Sequence, residues 1–414
     1  LAKEGFKVAL LEKNIQLGGS LQIFSRDKKI LDTGLHYIGG YDEGQNLNKL
    51  FNYFGLKDTL QTVRMNEDGY DYISFNDGRK YAHAMGYENF ISSLCKDFPD
   101  EEHAINLFCC KIQEYCHRFP LYDLNNNIAD GYFSEDLRNE NAWEYISSIT
   151  TNKTLQNVLA GNNMLYAGVK EKTPLFVHAL IFNSYICGSY KIVTGGAQLI
   201  KQFSKNIRKA GVDIYTHKQV TGATFGTDNK ISQLLFDNGD KISAKNYISA
   251  IHPNETISLF GAKRFSNAWV KRVSRLEQTI SAFLLQITFK PKSFPYLNYN
   301  IYHFFNDDVW ETINYTEDNW PLGFFVFTPV PLDNSEFAES ISVMCYMKSD
   351  DVAQWKDSFN TTTHPSERCE SYQAFKRQKE EKVLAKLETL FPEIRNAMLN
   401  VYSSTPLTFK DYTA

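Results

Sequence analysis

The first twenty residues, LAKEGFKVALLEKNIQLGGS, constrain this chain more than any other stretch. Ala2 to Gly5 reads as a helix end closed by a glycine. Lys7 to Leu11 is a short apolar run suited to a buried parallel strand. Glu12 stands at the end of that strand. In a βαβ dinucleotide-binding unit an acid at this point accepts hydrogen bonds from the ribose. The glycine-rich turn of such a unit lies about 20 residues before the acid. That turn would precede Leu1, and position 1 is not Met. The expectation is a fragment that begins inside its own cofactor site. Glu12 as an ordinary exposed strand-end acid is the plainer alternative.

The chain is long enough for two or more domains, at 414 residues. Its net charge of −4 supplies no basic field, so nucleic acid is not an expected partner. Seven cysteines are too few and too odd in number for a disulfide scaffold, which suits a reducing, cytoplasmic setting. Cys109, Cys110, Cys116 and His117 match no common zinc spacing. Ile105, Phe108, Cys109, Ile112, Tyr115, Cys116 and Phe119 instead make a helical apolar stripe, and no metal site is expected. No run of about 18 apolar residues exists, so no transmembrane helix is expected. Aromatic residues reach 14%, which suits either an apolar tunnel or simple compositional drift.

Two strands are expected at Leu21–Phe24 and Lys29–Leu31 around the turn 25–28. The stretch DTGLHYIGG follows, where glycines allow backbone to come close to a partner. A hairpin is expected around Asn76-Asp77-Gly78, then helices over 88–98 and 101–119. Residues 120–190 read as mainly helical, with a polar loop LNNN at 124–127. Gly195 and Gly196 open an amphipathic helix carrying Leu199, Ile200, Phe203 and Ile207. Strands are expected at Val212–Tyr215, from Val220, at Ile231–Phe236 and at Tyr247–Ile251. SAFLLQITF, FFVFTPV and SISVMCYM read as an antiparallel sheet. A charged helix over about 371–390 stops near Pro392.

Six blocks in order carry a resemblance. They are AKEGFKVALLEKN with LGGS (2–20), LDTGLHYIGG (31–40), GGAQLIKQF (195–203), GVDIYTHKQV (211–220), YISAIHP (247–253) and STPLTFKDYT (404–413). Together they resemble the phytoene desaturase, carotenoid isomerase and retinol saturase group of FAD-dependent oxidoreductases, closest to its retinol-saturase-like branch. The resemblance implies an α/β fold. It has an FAD/NAD(P)-binding Rossmann-like (glutathione-reductase-like) discontinuous domain, with an inserted α+β substrate domain. The implied division is 1–55 and 191–256 for the FAD-binding domain and 56–190 for a substrate or lid insertion. Residues 257–400 make a substrate domain of sheet and long helix, and 401–414 return toward the FAD domain. The family's C-terminal flavin-contacting segment would follow residue 414.

The resemblance also implies FAD as cofactor, with NAD(P)H as a candidate electron donor. Glu12 would hold the ribose, Lys13 would add positive charge, and Gly18, Gly19 and Ser20 would pass close to the diphosphate and ribityl chain. Gly34 and His36 would face the isoalloxazine ring, and Val220 would offer backbone to the adenine. The flavin carries the hydride chemistry. His36 is the candidate for proton transfer, against the plainer role of a structural hydrogen-bonder. The implied substrate is an apolar polyene, a retinoid or carotenoid, which is saturated or desaturated. Peripheral membrane contact goes with such a substrate. A carotenoid cis–trans isomerase, a prenyl-lipid-binding protein of the GDP-dissociation-inhibitor or Rab-escort type, and an amine oxidase share the scaffold and stand as alternatives.

Overall fold

The computed structural model describes residues 1–413 except 120, 121, 123, 125–134, 334 and 363. Most of the LNNN loop therefore lies outside the described residues. In chain order the strands are β1 (Ala9–Leu11), β2 (Ile23–Arg26), β3 (Lys29–Asp32), β4 (Thr62–Arg64), β5 (Asp71–Phe75), β6 (Lys80–His83), β7 (Tyr190–Ile192) and β8 (Asp213–Tyr215). They continue with β9 (Val220–Phe225), β10 (Ile231–Phe236), β11 (Lys241–Ile242), β12 (Ser281–Phe289), β13 (Asn300–Phe304), β14 (Gly323–Phe327), β15 (Ser340–Met347) and β16 (Met398–Ser404).

The fold is α/β with a Rossmann-like nucleotide end. Its signature pairing joins β1 to β8 in parallel, Ala9 opposite Asp213 and Leu11 opposite Tyr215. The pairing continues past the strands, where the Glu12 N–H donates to Tyr215 O and the Lys218 N–H to Glu12 O, both at 2.9 Å. Beyond β8 the chain forms the antiparallel sheet β11-β10-β9. The expected strand at 247–251 does not form. Tyr247–Ile251 has no ladder partner among the described residues, and Ile248 is 78% exposed. An apolar run becomes a strand only where a neighbouring strand satisfies its N–H and C=O groups.

The largest sheet has the order β16-β12-β15-β14-β13-β5-β6. Strands β12 to β15 pair antiparallel as expected of these β-rich segments, but β13 meets β5 in parallel. The sheet is therefore mixed. The physical reason is that the Asn76-Asp77-Gly78 hairpin adds itself to the outer side of β13, rather than standing apart with the helices that follow it. One face of this layer packs on the helices Glu102–His117 and Leu175–Ile186. Every member of the predicted stripe from Ile105 to Phe119 is buried in the resulting core. Cys109 and Cys116 are buried within it and Cys110 is exposed.

A second small core ties the nucleotide end together, with Ile38, Phe51, Leu56, Ile192 and Leu199 in contact. Above it, Asp32 ends β3 and turns its carboxylate onto the start of helix Gly196–Lys209. Oδ1 accepts from the Gly196 N–H at 2.9 Å. Helix starts leave N–H groups unsatisfied, and an acid there is doubly favourable. Burial nevertheless pushes the Asp32 carboxyl up to about 7, against the pull of that N–H. The folded protein thus binds a proton here between about pH 4 and pH 7 that the unfolded chain, with an ordinary carboxyl near 3.9, has released. Stability from this group is fully present below pH 4 and declines as pH rises toward 7. Asp32→Asn keeps an acceptor without the charge. It should gain roughly 1–3 kcal/mol relative to the unmutated protein between pH 5 and pH 7.5, read by urea unfolding at both values. An equal difference between the two proteins at both pH values would count against a titrating Asp32.

Candidate active site

A cavity of about 1240 Å³ opens between the nucleotide end, the large sheet and the charged helix Glu370–Leu387. It exceeds the roughly 300–1,000 Å³ typical of a pocket for one small ligand. Its wall near the nucleotide end is built by two glycine-bearing turns. The first is Gly18–Leu21, with Gly18 at φ 113° and Gly19 at φ 53°. The second is Thr33–Tyr37, following β3. The Thr33 hydroxyl clamps them together, lying 2.6 Å from Gln22 O and 2.9 Å from Ser20 O. A Cβ on Gly34 would fall 2.6 Å from Ser20 O, so only glycine permits this approach. The hairpin β2–β3 is pinned from outside. Asp27, at its tip, accepts from the hydroxyls of Thr288 at 2.6 Å and Tyr402 at 3.0 Å.

The predicted site residues fall into two groups. Gly19, Ser20, Gly34 and His36 line the cavity. Glu12, Lys13 and Val220 lie at the β1–β8 end, outside its lining. Gly18 also lies outside the lining, packed against Ile200, which a Cβ would strike at 2.4 Å. The groups meet through Asn14, which lines the cavity and whose N–H donates to Glu12 Oε1 at 2.7 Å. Val220 is two residues beyond Lys218, whose N–H bonds Glu12 O.

His36 presents its ring to the cavity with Phe327 at 4.0 Å and Phe325 at 5.6 Å between centroids. Its Nδ1 is buried and has no hydrogen-bond partner. Burial holds its pKa down at about 3, so the imidazole is neutral at ordinary pH. A neutral imidazole offers a donor and an acceptor, not a ready acid. Tyr37 stacks on Tyr185 at 4.2 Å. Its hydroxyl reaches Asp71 Oδ2 at 2.7 Å and Tyr302 at 2.8 Å. Burial pushes the Asp71 carboxyl up to about 7, and Asn300 Nδ2 donates to its other oxygen at 2.9 Å.

Sequence reasoning missed the polar groups behind this wall. Lys191 is fully sheathed in the core and donates to Leu297 O at 2.7 Å and Thr328 O at 2.9 Å. A lone lysine inside the apolar run YKIV was its only signal. Asp71 carried none, since an acid opening a predicted strand reads as a solvated end. Arg368 and Asp411 form a buried ion pair that no spacing foretells.

A parallel strand pair ending in an acid, two glycine-bearing turns and a deep mixed-polarity cavity define a dinucleotide-binding oxidoreductase of the glutathione-reductase-like class. Residues 1–342 match the profile of the flavin-containing amine oxidoreductase family, and the chain belongs to that family. FAD is its cofactor. The chain is 22% identical to a macaque (Macaca fascicularis) all-trans-retinol 13,14-reductase, in a match covering all of this chain and 73% of the relative. It is 26% identical to the rat (Rattus norvegicus) protein of the same name, over 53% of this chain and 39% of that one. It is 21% identical to a carrot (Daucus carota) chloroplastic prolycopene isomerase, covering all of this chain and 68% of the relative. Among solved structures, an oxidoreductase from Methanosarcina mazei superposes with a TM-score of 0.64 at 14% identity, over 97% of this chain and 83% of that one. A CLA-producing fatty acid isomerase from P. acnes gives 0.58 at 11% identity, over 98% and 82%. At such identities these structures bear on the fold alone. No described helix is long and apolar enough to cross a membrane.

Proposed function

We propose that the protein is an FAD-dependent oxidoreductase that saturates or desaturates carbon–carbon bonds of a long apolar polyene, a retinoid or carotenoid. The observation that carries this reading is a cavity lined by Gly19, Ser20, Gly34 and His36 together with aromatic side chains, joined through Asn14 to Glu12 at the β1–β8 end. Glu12 and Val220 suit the ribose and adenine, with Lys13 beside them. Gly18, Gly19 and Ser20 suit the diphosphate and ribityl chain. Gly34 and the unpartnered Nδ1 of His36 suit the isoalloxazine ring. Bound FAD supplies hydride transfer. The chain's own residues bind, orient and exclude water, and neutral His36 serves as a hydrogen-bonding wall rather than the proton source. The cavity's volume leaves room for a second, elongated molecule along Met164, Leu165, Phe325 and Met344.

In this reading residues 1–55 and 191–256 make up the cofactor half. Residues 56–190 and 257–400 make up the substrate half, and 401–414 return toward the cofactor. Cis–trans isomerisation without net redox is the second reading, favoured by the carrot relative. The test is the full chain purified and incubated with FAD, then given all-trans-retinol or a carotenoid with NAD(P)H. A flavin absorbance band and products altered by two hydrogens are expected. Isomers alone would move the reading to the isomerase, and failure to take up FAD would sink both. Recovery of all the protein in the supernatant after sedimentation with liposomes would count against peripheral membrane docking.

A further inference from the structure

The lining of the cavity is not only apolar and aromatic but also carries cations. Arg26 at the end of β2, Arg368 just before the helix Glu370–Leu387 and Lys376 within it all line the cavity. Two of these cations are already engaged. The Arg368 guanidinium is held by Asp411 and by Ser358 Oγ at 2.7 Å. Arg26 lies over the rings of Phe24 at 5.3 Å and Tyr402 at 5.8 Å, and donates to Ser25 O at 2.8 Å. Lys376 is different. No hydrogen bond or ion pair is formed by its ammonium among the described residues. Glu380, one turn along the helix, instead accepts from Ser403 Oγ at 2.5 Å.

Such a placement is costly. Burial lowers the Lys376 pKa from its ordinary value, Glu380 partly opposes that, and Arg368 adds to it. A desolvated cation with a like charge beside it, whose neighbouring acid Glu380 acts only through space, is compensated further when an anion arrives to bond it. The cavity lining thus combines apolar and aromatic side chains with the Lys376 cation, whose ammonium has no hydrogen bond or ion pair among the described residues. We propose that Lys376, with Arg26 at the rim, receives the anionic head of the elongated substrate, so that the preferred substrate is a carboxylate-bearing amphiphile rather than a neutral hydrocarbon or alcohol. This deepens the functional reading above and rests on it. The diphosphate of FAD is the other source of the same anionic oxygen chemistry.

The test uses the full chain, unmutated and as Lys376→Met and Lys376→Arg. Dissociation constants are measured by tryptophan-fluorescence quenching with all-trans-retinoic acid and all-trans-retinol, and separately for FAD. A hydrogen bond between charged groups is worth about tenfold or more in affinity. The unmutated protein is therefore expected to bind the acid at least about tenfold more tightly than the alcohol. Lys376→Met should abolish that preference, leaving alcohol and FAD affinity within about twofold. Lys376→Arg should retain most of it. Equal binding of acid and alcohol by the unmutated protein overturns the anion site while leaving the polyene reading intact. Loss of FAD affinity in Lys376→Met with an unchanged acid-to-alcohol ratio overturns it in favour of the cofactor's phosphates. Failure of the flavin-loaded unmutated protein to bind either retinoid overturns the polyene reading itself.

Discussion

Gly195→Ala is expected to destabilise the protein by about 3–5 kcal/mol, from backbone strain together with a lost buried hydrogen bond. Gly195 sits at φ 52°, ψ −134°, a region open essentially to glycine. A Cβ there would stand 1.9 Å and 2.2 Å from the two carboxylate oxygens of Asp32. That carboxylate is buried and engaged with the Gly196 N–H, so moving it breaks the cap of the helix Gly196–Lys209. Gly196 offers no relief, since its own Cβ position is 2.1 Å from Leu21 O. The comparison is Gly239→Ala. Gly239 has φ 85° in an exposed turn, with nothing within 4 Å of a built Cβ. It should cost only about 1 kcal/mol, the ordinary penalty of a left-handed alanine. Urea-unfolding midpoints of the two variants decide the matter. Equal losses would mean that the close approach of the two glycine-bearing segments carries no special weight.

Asp411→Ala should cost a similar amount, about 3–5 kcal/mol, as expected when one member of a buried ion pair is removed. The Arg368 and Asp411 side chains are 5% and 2% exposed. Asp411 also accepts from the Asn360 N–H at 3.0 Å. Its removal leaves the buried Arg368 guanidinium without its counter-ion and the Asn360 N–H without its acceptor. Removing both charges, as Arg368→Met with Asp411→Ala, should recover much of the loss, because the stranded charge disappears with its partner. A double variant as unstable as the single one would show that the pair contributes shape rather than charge compensation. Flavin content, measured alongside, separates a local change at the cavity wall from global unfolding.

Much of the local structure was legible in the sequence because it is set by neighbours in the chain. The 281–289 strand follows from its β-rich apolar run, the Gly196 helix from apolar periodicity, and the Asn76-Asp77-Gly78 hairpin from turn chemistry. The cavity-lining turns were legible too, since Gly18, Gly19 and Gly34 advertise close backbone approach. What could not be read were partnerships between distant segments. The apolar pattern of Tyr247–Ile251 could not reveal that no strand lies beside it. Nothing near Asp71 announces Tyr37 or Asn300, and nothing near Lys376 shows that Glu380 turns to Ser403 instead. His36 was singled out by position, yet its neutral state follows from burial in a site where Phe325 and Phe327, almost 300 residues away, are its ring neighbours.

The parallel junction between β5 and β13 has a consequence for how the chain matures. Asp71 and its partner Asn300 are 229 residues apart. At synthesis rates of about 5–20 residues per second, the hairpin waits roughly 10–45 s for the strand it docks against. Through that interval β5 carries an open edge and Asp71 lacks Asn300. Non-local pairing of this kind slows folding. The arrival of β13 therefore supplies both the strand that pairs with β5 and the Asn300 side chain that bonds the buried Asp71 carboxyl. The pairing of β13 with β5 and the placing of the Asp71 partner behind the cavity wall thus depend on the same strand.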